Sequence, residues 1–196
     1  MRQSRVFAIS CDMSFDEFKQ SFIVHKMGEK EIVAAFDCGD DDLNGFILTD
    51  APLYRKEKLA VTYTVLERLA PQKVVAFFSL SNDRISITDF DNRTKYNRFS
   101  RRFNNHKRLK SYPAAKIGRF AVDGDMKGMS IGSTLLHFIK LYFTTENKTG
   151  CRFLTVDAYA AAVPFYLANG FIPLNVDDID EPTRLLYFDL NDLNED

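Results

Sequence analysis

The stretch Lys127-Gly-Met-Ser-Ile-Gly-Ser133 brings small residues to the place where a helix should begin. The first amides of a helix have no internal partner and sit at the positive end of its dipole, so they can donate to a pyrophosphate. Lys127, Gly128, Met129, Ser130, Ile131, Gly132 and Ser133 therefore form a candidate phosphate turn, with Gly128, Ser130 and Gly132 keeping bulk out of the way. Helix starts use the same residues with no ligand at all, so the turn alone does not decide.

The elements around it must hold the turn open. Phe120, Ala121 and Val122 end an apolar strand, and Asp123-Gly-Asp125 breaks it. A helix from about Gly128 follows, in which Ile131, Leu135, Phe138, Ile139 and Tyr142 fall on one stripe at a period of 3.6. Cys151 to Asp157 reads as the next strand, and a strand–helix–strand unit of this length implies parallel neighbours.

Together these segments resemble the GCN5-related N-acetyltransferase (GNAT) superfamily. Lys127-Gly-Met-Ser-Ile-Gly132 stands in place of that family's Arg/Gln-x-x-Gly-x-Gly/Ala motif, Cys151–Ala158 in place of its next strand, and Val163-Pro-Phe-Tyr-Leu-Ala-Asn-Gly-Phe171 in place of its Phe-Tyr-x-x-x-Gly-Phe signature. Lys127 and Ser130 depart from the motif, but backbone donors depend on neither side chain. The resemblance implies an α/β (α+β) fold, a mixed and mostly antiparallel sheet flanked by helices, in which two parallel central strands splay apart. It implies acetyl-CoA as co-substrate and no metal, the pantetheine arm bonding backbone at Phe120 and Val122. Tyr166 would protonate the leaving sulfur; the phenol's ordinary pKa near 10 keeps it protonated at neutral pH. No dependable base is visible: Asp157 is a candidate and equally a helix cap, while an α-amine with a pKa near 8 needs little help.

Shorter similarities at Asp37-Cys-Gly39 with Leu43, at the Ala-Val-Thr-Tyr63 strand, at Phe77-Phe-Ser-Leu80 and at Tyr112-Pro113 point to a narrower branch, the acetyltransferase toxins of toxin–antitoxin pairs that modify aminoacyl-tRNA. That branch implies tRNA and an antitoxin protein as partners and leaves a homodimer open. The alternatives are a protein or small-molecule amine as acceptor, or a non-catalytic acyl-CoA- or RNA-binding module on the same fold.

Charge bears on the acceptor. The net charge is −1, yet ten of the 26 Lys and Arg lie between Arg93 and Arg119 with no acidic residue among them, leaving sixteen elsewhere against all 27 Asp and Glu. Arg93, Lys95, Arg98, Arg101, Arg102, Lys107, Arg108 and Lys110 are candidate nucleic-acid contacts. Tyr96, Phe99 and Phe103 recur among them at helical spacing, which suits equally a surface helix whose aromatic stripe packs down while its charges are solvated.

Length suits one domain over residues 1–196, with an elaborated basic segment at about 85–112. No run approaches the roughly 18 apolar residues of a membrane span, and the polar start is unlike a signal peptide, so a cytoplasmic protein is expected. Cys11, Cys38 and Cys151 are widely spaced, which favours buried thiols over a metal site. His137 reads as a helix surface or packing residue.

The rest of the chain reads as a short strand within residues 5 to 10, a capped helix from Ser14 to Val24, and a helix from about Asp41 to Lys58 kinked at Pro52. A hairpin of Leu59–Leu66 and Lys73–Leu80 turns at Ala70-Pro-Gln72, and Ser81-Asn-Asp-Arg84 is expected as a second turn. A short helix over Pro164–Asn169 stopped by Gly170, two last strands at Phe171–Leu174 and Thr183–Leu190, and a solvated tail complete it.

Overall fold

The computed structural model describes residues 13–103, 109–145, 149–175 and 177–193. The expected strand within residues 5 to 10, together with Cys11, Lys107, Arg108 and the last three residues of the tail, lies outside them. Helix α1 (Phe15–Ser21) opens on the expected capping box: Ser14 N donates to Glu17 Oε2 at 2.9 Å and Glu17 N to Ser14 Oγ at 3.3 Å. It is shorter than its apolar pattern suggests. At Phe22 the chain becomes extended and forms β1 (Phe22–Lys26), because pairing with the next strand satisfies its backbone and buries Phe22 beside Phe18.

The helical span over Asp41–Lys58 is present in three pieces: α2 (Asp41–Gly45), a wide π turn over Phe46–Asp50, and α3 (Ala51–Lys56). Pro52 accounts for the wide turn. It lacks an N–H, and in a regular helix its ring meets the carbonyl one turn earlier. Thr49 Oγ1 donates to the Gly45 carbonyl at 2.6 Å, giving that group a partner.

Strands β2 (Val61–Glu67) and β3 (Ala70–Ser86) form the antiparallel hairpin, but the reversal is at Arg68-Leu69, and Ala70-Pro-Gln72 already belong to β3. Ser81-Asn-Asp-Arg84 is not a turn. It continues β3 and pairs with the start of a later strand, an arrangement that polar composition conceals. After α4 (Arg93–Ser100) come β4 (Ser111–Val122), α5 (Ile131–Thr144), β5 (Phe153–Tyr159), α6 (Val163–Ala168), β6 (Ile172–Pro173) and β7 (Thr183–Asp189). The seven strands form one sheet in the order β1-β2-β3-β4-β5-β7-β6, antiparallel throughout except for β4 beside β5.

One face of the sheet packs on α5: Phe78, Leu80, Ala115, Ile117, Leu154 and Phe188 meet the Ile131–Leu135–Ile139 stripe. The other face carries two clusters. Phe46 and Ile47 of the π turn pack with Phe36, Phe77 and Ala121, while Ile85, Phe90, Tyr112, Phe153 and Tyr187 lie under α4, whose Tyr96 and Phe99 point down as their spacing predicts. Among the described residues no helix is long and apolar enough to cross a membrane.

Candidate active site

Strands β4 and β5 pair only over Ala114–Phe153, Ala115–Leu154 and Lys116–Thr155. Beyond that point β4 runs on to Val122 against β3, and β5 to Tyr159 against β7, with no bonds between them. The two central strands therefore diverge, and the backbone groups they would have exchanged face a crevice. Gly118 helps to open it. Ser79 lies opposite Arg119 and Leu80 opposite Ile117, so Gly118 is the extra residue of a bulge, and a Cβ there would come within 3.2 Å of Ser79 Oγ. The crevice has a volume of about 480 Å³, with Gly118 and Phe120 on one wall, Val156 and Ala158 on the other, and Tyr166 reaching in from α6.

At the outer end of β4 the chain makes the candidate phosphate turn. Helix α5 starts at Ile131, a turn later than the sequence suggests, because Gly128 at φ +83 and Ser130 at φ +56 are both left-handed. Nothing lies within 4 Å of the place a Cβ on Gly128 would occupy. Thr134 N donates to the Ser130 carbonyl at 3.0 Å, closing the first turn of the helix.

The side chains around the turn divide. Phe120 lines the crevice, Ala121 turns away into the cluster with Phe46 and Phe77, and Val122 packs toward Gly132. A Cβ on Gly132 would stand 3.2 Å from Phe165 Cζ, so that glycine lets α6 come close to the turn. Lys127 donates to the Cys38 carbonyl at 2.9 Å, which ties the turn to the Asp37–Gly39 loop. That loop is itself fixed: Asp37 Oδ1 accepts from Gly39 N at 2.8 Å and Asn44 Nδ2 at 2.9 Å. These two bonds, with the nearby Lys127 charge, hold the Asp37 carboxyl below the usual range.

The sequence marks the Asp37–Gly39 loop and the start of α1, but not that both come to lie beside the turn. Thr134 Oγ1 donates to the Met13 carbonyl at 3.2 Å, and Phe15 meets His137 edge to face at 5.2 Å, so the α1 end borders a shallow hollow with Ser130 and Ser133. His137 is thus an exposed residue of the helix surface that meets Phe15. The capping box marks where α1 begins, but nothing in the local sequence marks where it docks.

Tyr166 is 5% exposed, its ring 6.5 Å from that of Phe120 and 5.3 Å from that of Phe171. Burial raises its pKa above the ordinary value of 10. Helix α6 is stopped where the sequence predicts: Gly170 takes φ +79 and Phe171 N returns to the Tyr166 carbonyl at 3.0 Å. Lys140 of α5 holds the same helix end. Its ammonium donates to the Asn169 carbonyl at 2.7 Å and lies 3.9 Å over the Phe188 ring.

Burial drives the Lys140 pKa from 10.5 down to about 8. Below pH 8 this lysine is charged in both folded and unfolded chains, and the folded state carries the desolvation cost. Between 8 and 10.5 only the unfolded chain holds the proton, so stability rises with pH. Relative to Lys140→Met, the wild-type unfolding free energy should gain about 1–2 kcal/mol on going from about pH 7 to about pH 10, after allowance for solvent screening. Urea unfolding at the two pH values checks it; parallel curves for the two proteins would contradict it.

On the sheet face opposite α5 the crevice is polar. Lys116 pairs with Asp157, Thr155 Oγ1 donates to Asp83, and Arg119 Nε lies 3.5 Å from Asp42 with its guanidinium over Phe46. Asp157 is not a helix cap; it faces this polar wall. Of the basic candidates, Lys95 pairs with Asp91 and Asp177, and Arg102 donates to the Tyr187 hydroxyl at 2.6 Å. Arg93, Arg98, Arg101 and Lys110 are exposed. Among the described residues no cluster of His, Cys, Asp and Glu is arranged to hold a metal ion.

Residues 100–183, which span β4, the turn, β5 and α6, match the family model described as the acetyltransferase (GNAT) domain. Over those residues the chain is similar to GNAT acetyltransferases. Solved structures share the fold around it. AtaTR bound with AcCoA superposes with a TM-score of 0.68 at 22% identity, covering 88% of this chain and 95% of that one. AtaT complexed with acetyl-methionyl-tRNAfMet gives 0.68 at 22% identity, over 87% and 95%. A Tyr-to-Phe variant of the AtaT toxin bound to the C-terminus of the antitoxin AtaR and acetyl-CoA gives 0.64 at 22% identity, over 87% and 94%. The matched region thus holds the two diverging strands and Tyr166 in one crevice, with the candidate phosphate turn following the outer end of β4.

Proposed function

We propose that this chain transfers acetyl from acetyl-CoA to a primary amine, and that the amine is the α-amino group of an aminoacyl-tRNA. The crevice carries the reading: parallel neighbours that part after three residue pairs, a helix N-terminus at the outer end, and Tyr166 at the wall. The likeness in fold to AtaT complexed with acetyl-methionyl-tRNAfMet supports the acceptor. The likeness to AtaT bound to AtaR supports an antitoxin protein as partner, and an acceptor of this kind fits a cytoplasmic protein.

The chain's own groups suit the chemistry. Unpaired amides and carbonyls of β4 near Phe120 and Val122 would bond the pantetheine arm, and amides of the turn that follows Lys127, whose own amide donates to the Gly124 carbonyl, the pyrophosphate. Lys127 contributes by holding the turn on Cys38. As the amine nitrogen bonds to the acetyl carbon and the carbon–sulfur bond breaks, Tyr166 gives its proton to the departing thiolate and is reprotonated from the proton the amine releases. Burial raises the pKa of the Tyr166 phenol, which keeps its proton available at neutral pH. The acceptor amine would enter from the polar side, where Asp157 can draw the ammonium in before it loses its proton.

The test is transfer of labelled acetyl to charged tRNA, deacylated tRNA and free amino acids. Label on charged tRNA alone, with KM rising steeply with salt as phosphate contacts predict, is expected. Equal labelling of free amines would replace the acceptor, and coenzyme A binding without any transfer would make the protein a binding module.

A further inference from the structure

A second cavity lies on the same sheet face as the polar side of the crevice. It holds about 250 Å³ between α4 and β7. Phe90, Phe99 and Leu174 give it apolar walls, and Arg98 and Arg102 stand on its rim. Arg102 donates to the Tyr187 hydroxyl, which therefore keeps its own proton for another acceptor. Asn175 completes the wall with an unmet need. Its Nδ2 donates to the Asp89 carbonyl at 3.0 Å, a group that can only accept, so the amide is oriented and Oδ1 is left buried without a partner. The oxygen is closed off from the cavity as it stands, so an outward turn of the Asn175 side chain would let a donor on a bound ligand satisfy it.

The cavity is close to the acceptor side of the crevice. Tyr187 lies opposite Thr155 in the β5–β7 register, and Asp157 is two residues further along the same face of β5, about 7 Å away. We infer that this cavity receives one unstacked nucleobase of the acceptor RNA, with Arg98 and Arg102 meeting the flanking phosphates. The inference rests on the aminoacyl-tRNA reading. A base supplies what the walls ask for: a flat ring for the aromatic lining, an exocyclic N–H for Asn175 Oδ1, and an anionic backbone at a cationic rim.

Steady-state acetylation of charged tRNA is compared with that of an aminoacyl methyl ester, which has the same amine and no nucleotide. Asn175→Ala should raise KM for charged tRNA about tenfold, and the exposed-site variant Arg98→Gln about three- to fivefold with a shallower salt slope, while both keep wild-type constants on the ester. Equal KM on tRNA for wild type and both variants would overturn the inference, as would equal losses on the two substrates, which report damage to the fold. A wild-type protein that acetylates the ester but no tRNA would instead sink the acceptor reading, and with it this one.

Discussion

Replacing Tyr166 with Phe should lower kcat about 10²–10³-fold, with little change in KM for acetyl-CoA or in melting temperature. General acid catalysis contributes about 10²–10⁴-fold where a positioned group protonates the leaving atom. The hydroxyl acts only as the thiolate forms, so its loss appears in kcat rather than in ground-state binding. The ring itself is secured by Phe120, Phe165 and Phe171, which a Phe side chain satisfies equally well. Because burial raises the phenol's pKa above 10, the wild-type rate should show no loss from Tyr166 ionisation up to about pH 10. It should fall only on the acid side, as the acceptor amine becomes protonated. A Tyr166→Phe enzyme with undiminished kcat would remove the tyrosine from the chemistry.

The local elements around this site were legible because each rests on neighbouring residues. The Ile131–Leu135–Ile139 stripe, the Asp123-Gly-Asp125 break and the Gly170 stop follow from side-chain period and glycine conformation, and all three stand in the fold. Long-range pairing was harder to read. Ser81-Asn-Asp-Arg84 has the composition of a turn, yet it is strand because Ser111–Lys116 supplies its backbone partners from far along the chain. Phe22-Ile-Val24 continues an apolar helical pattern, but β2 takes it as an edge strand. Lys127 stood among the candidate phosphate residues for its backbone, and the fold gives its side-chain ammonium to the Cys38 carbonyl, a contact no spacing rule contains. The aromatic spacing in the basic segment announced that Tyr96 and Phe99 pack down. It did not announce that Lys95 and Arg102 find protein partners while Arg93, Arg98 and Arg101 stay exposed.

Phe99→Ala should destabilise the protein by about 3–5 kcal/mol, the usual cost of emptying a large buried aromatic site. Phe99 is 6% exposed, and its ring lies 5.2 to 5.8 Å from the rings of Phe90, Phe103, Tyr112, Phe153 and Tyr187. The lower end of that range is favoured, because the space it leaves opens toward the cavity beside α4 and can admit water. For a chain of this size, that is a fall in melting temperature of roughly 10 °C, read by calorimetry. The functional consequence follows from what Phe99 anchors. Helix α4 carries Arg98 on its open face and leads into Arg102, and loosening it blurs the placement of both charges without touching Tyr166 or the phosphate turn. At a temperature well below its own melting point, the variant should therefore lose KM for charged tRNA while keeping kcat on an aminoacyl methyl ester. If the melting temperature falls as expected and the tRNA constants do not move, α4 is a buttress of the sheet and its arginines are solvated charges with no acceptor to hold.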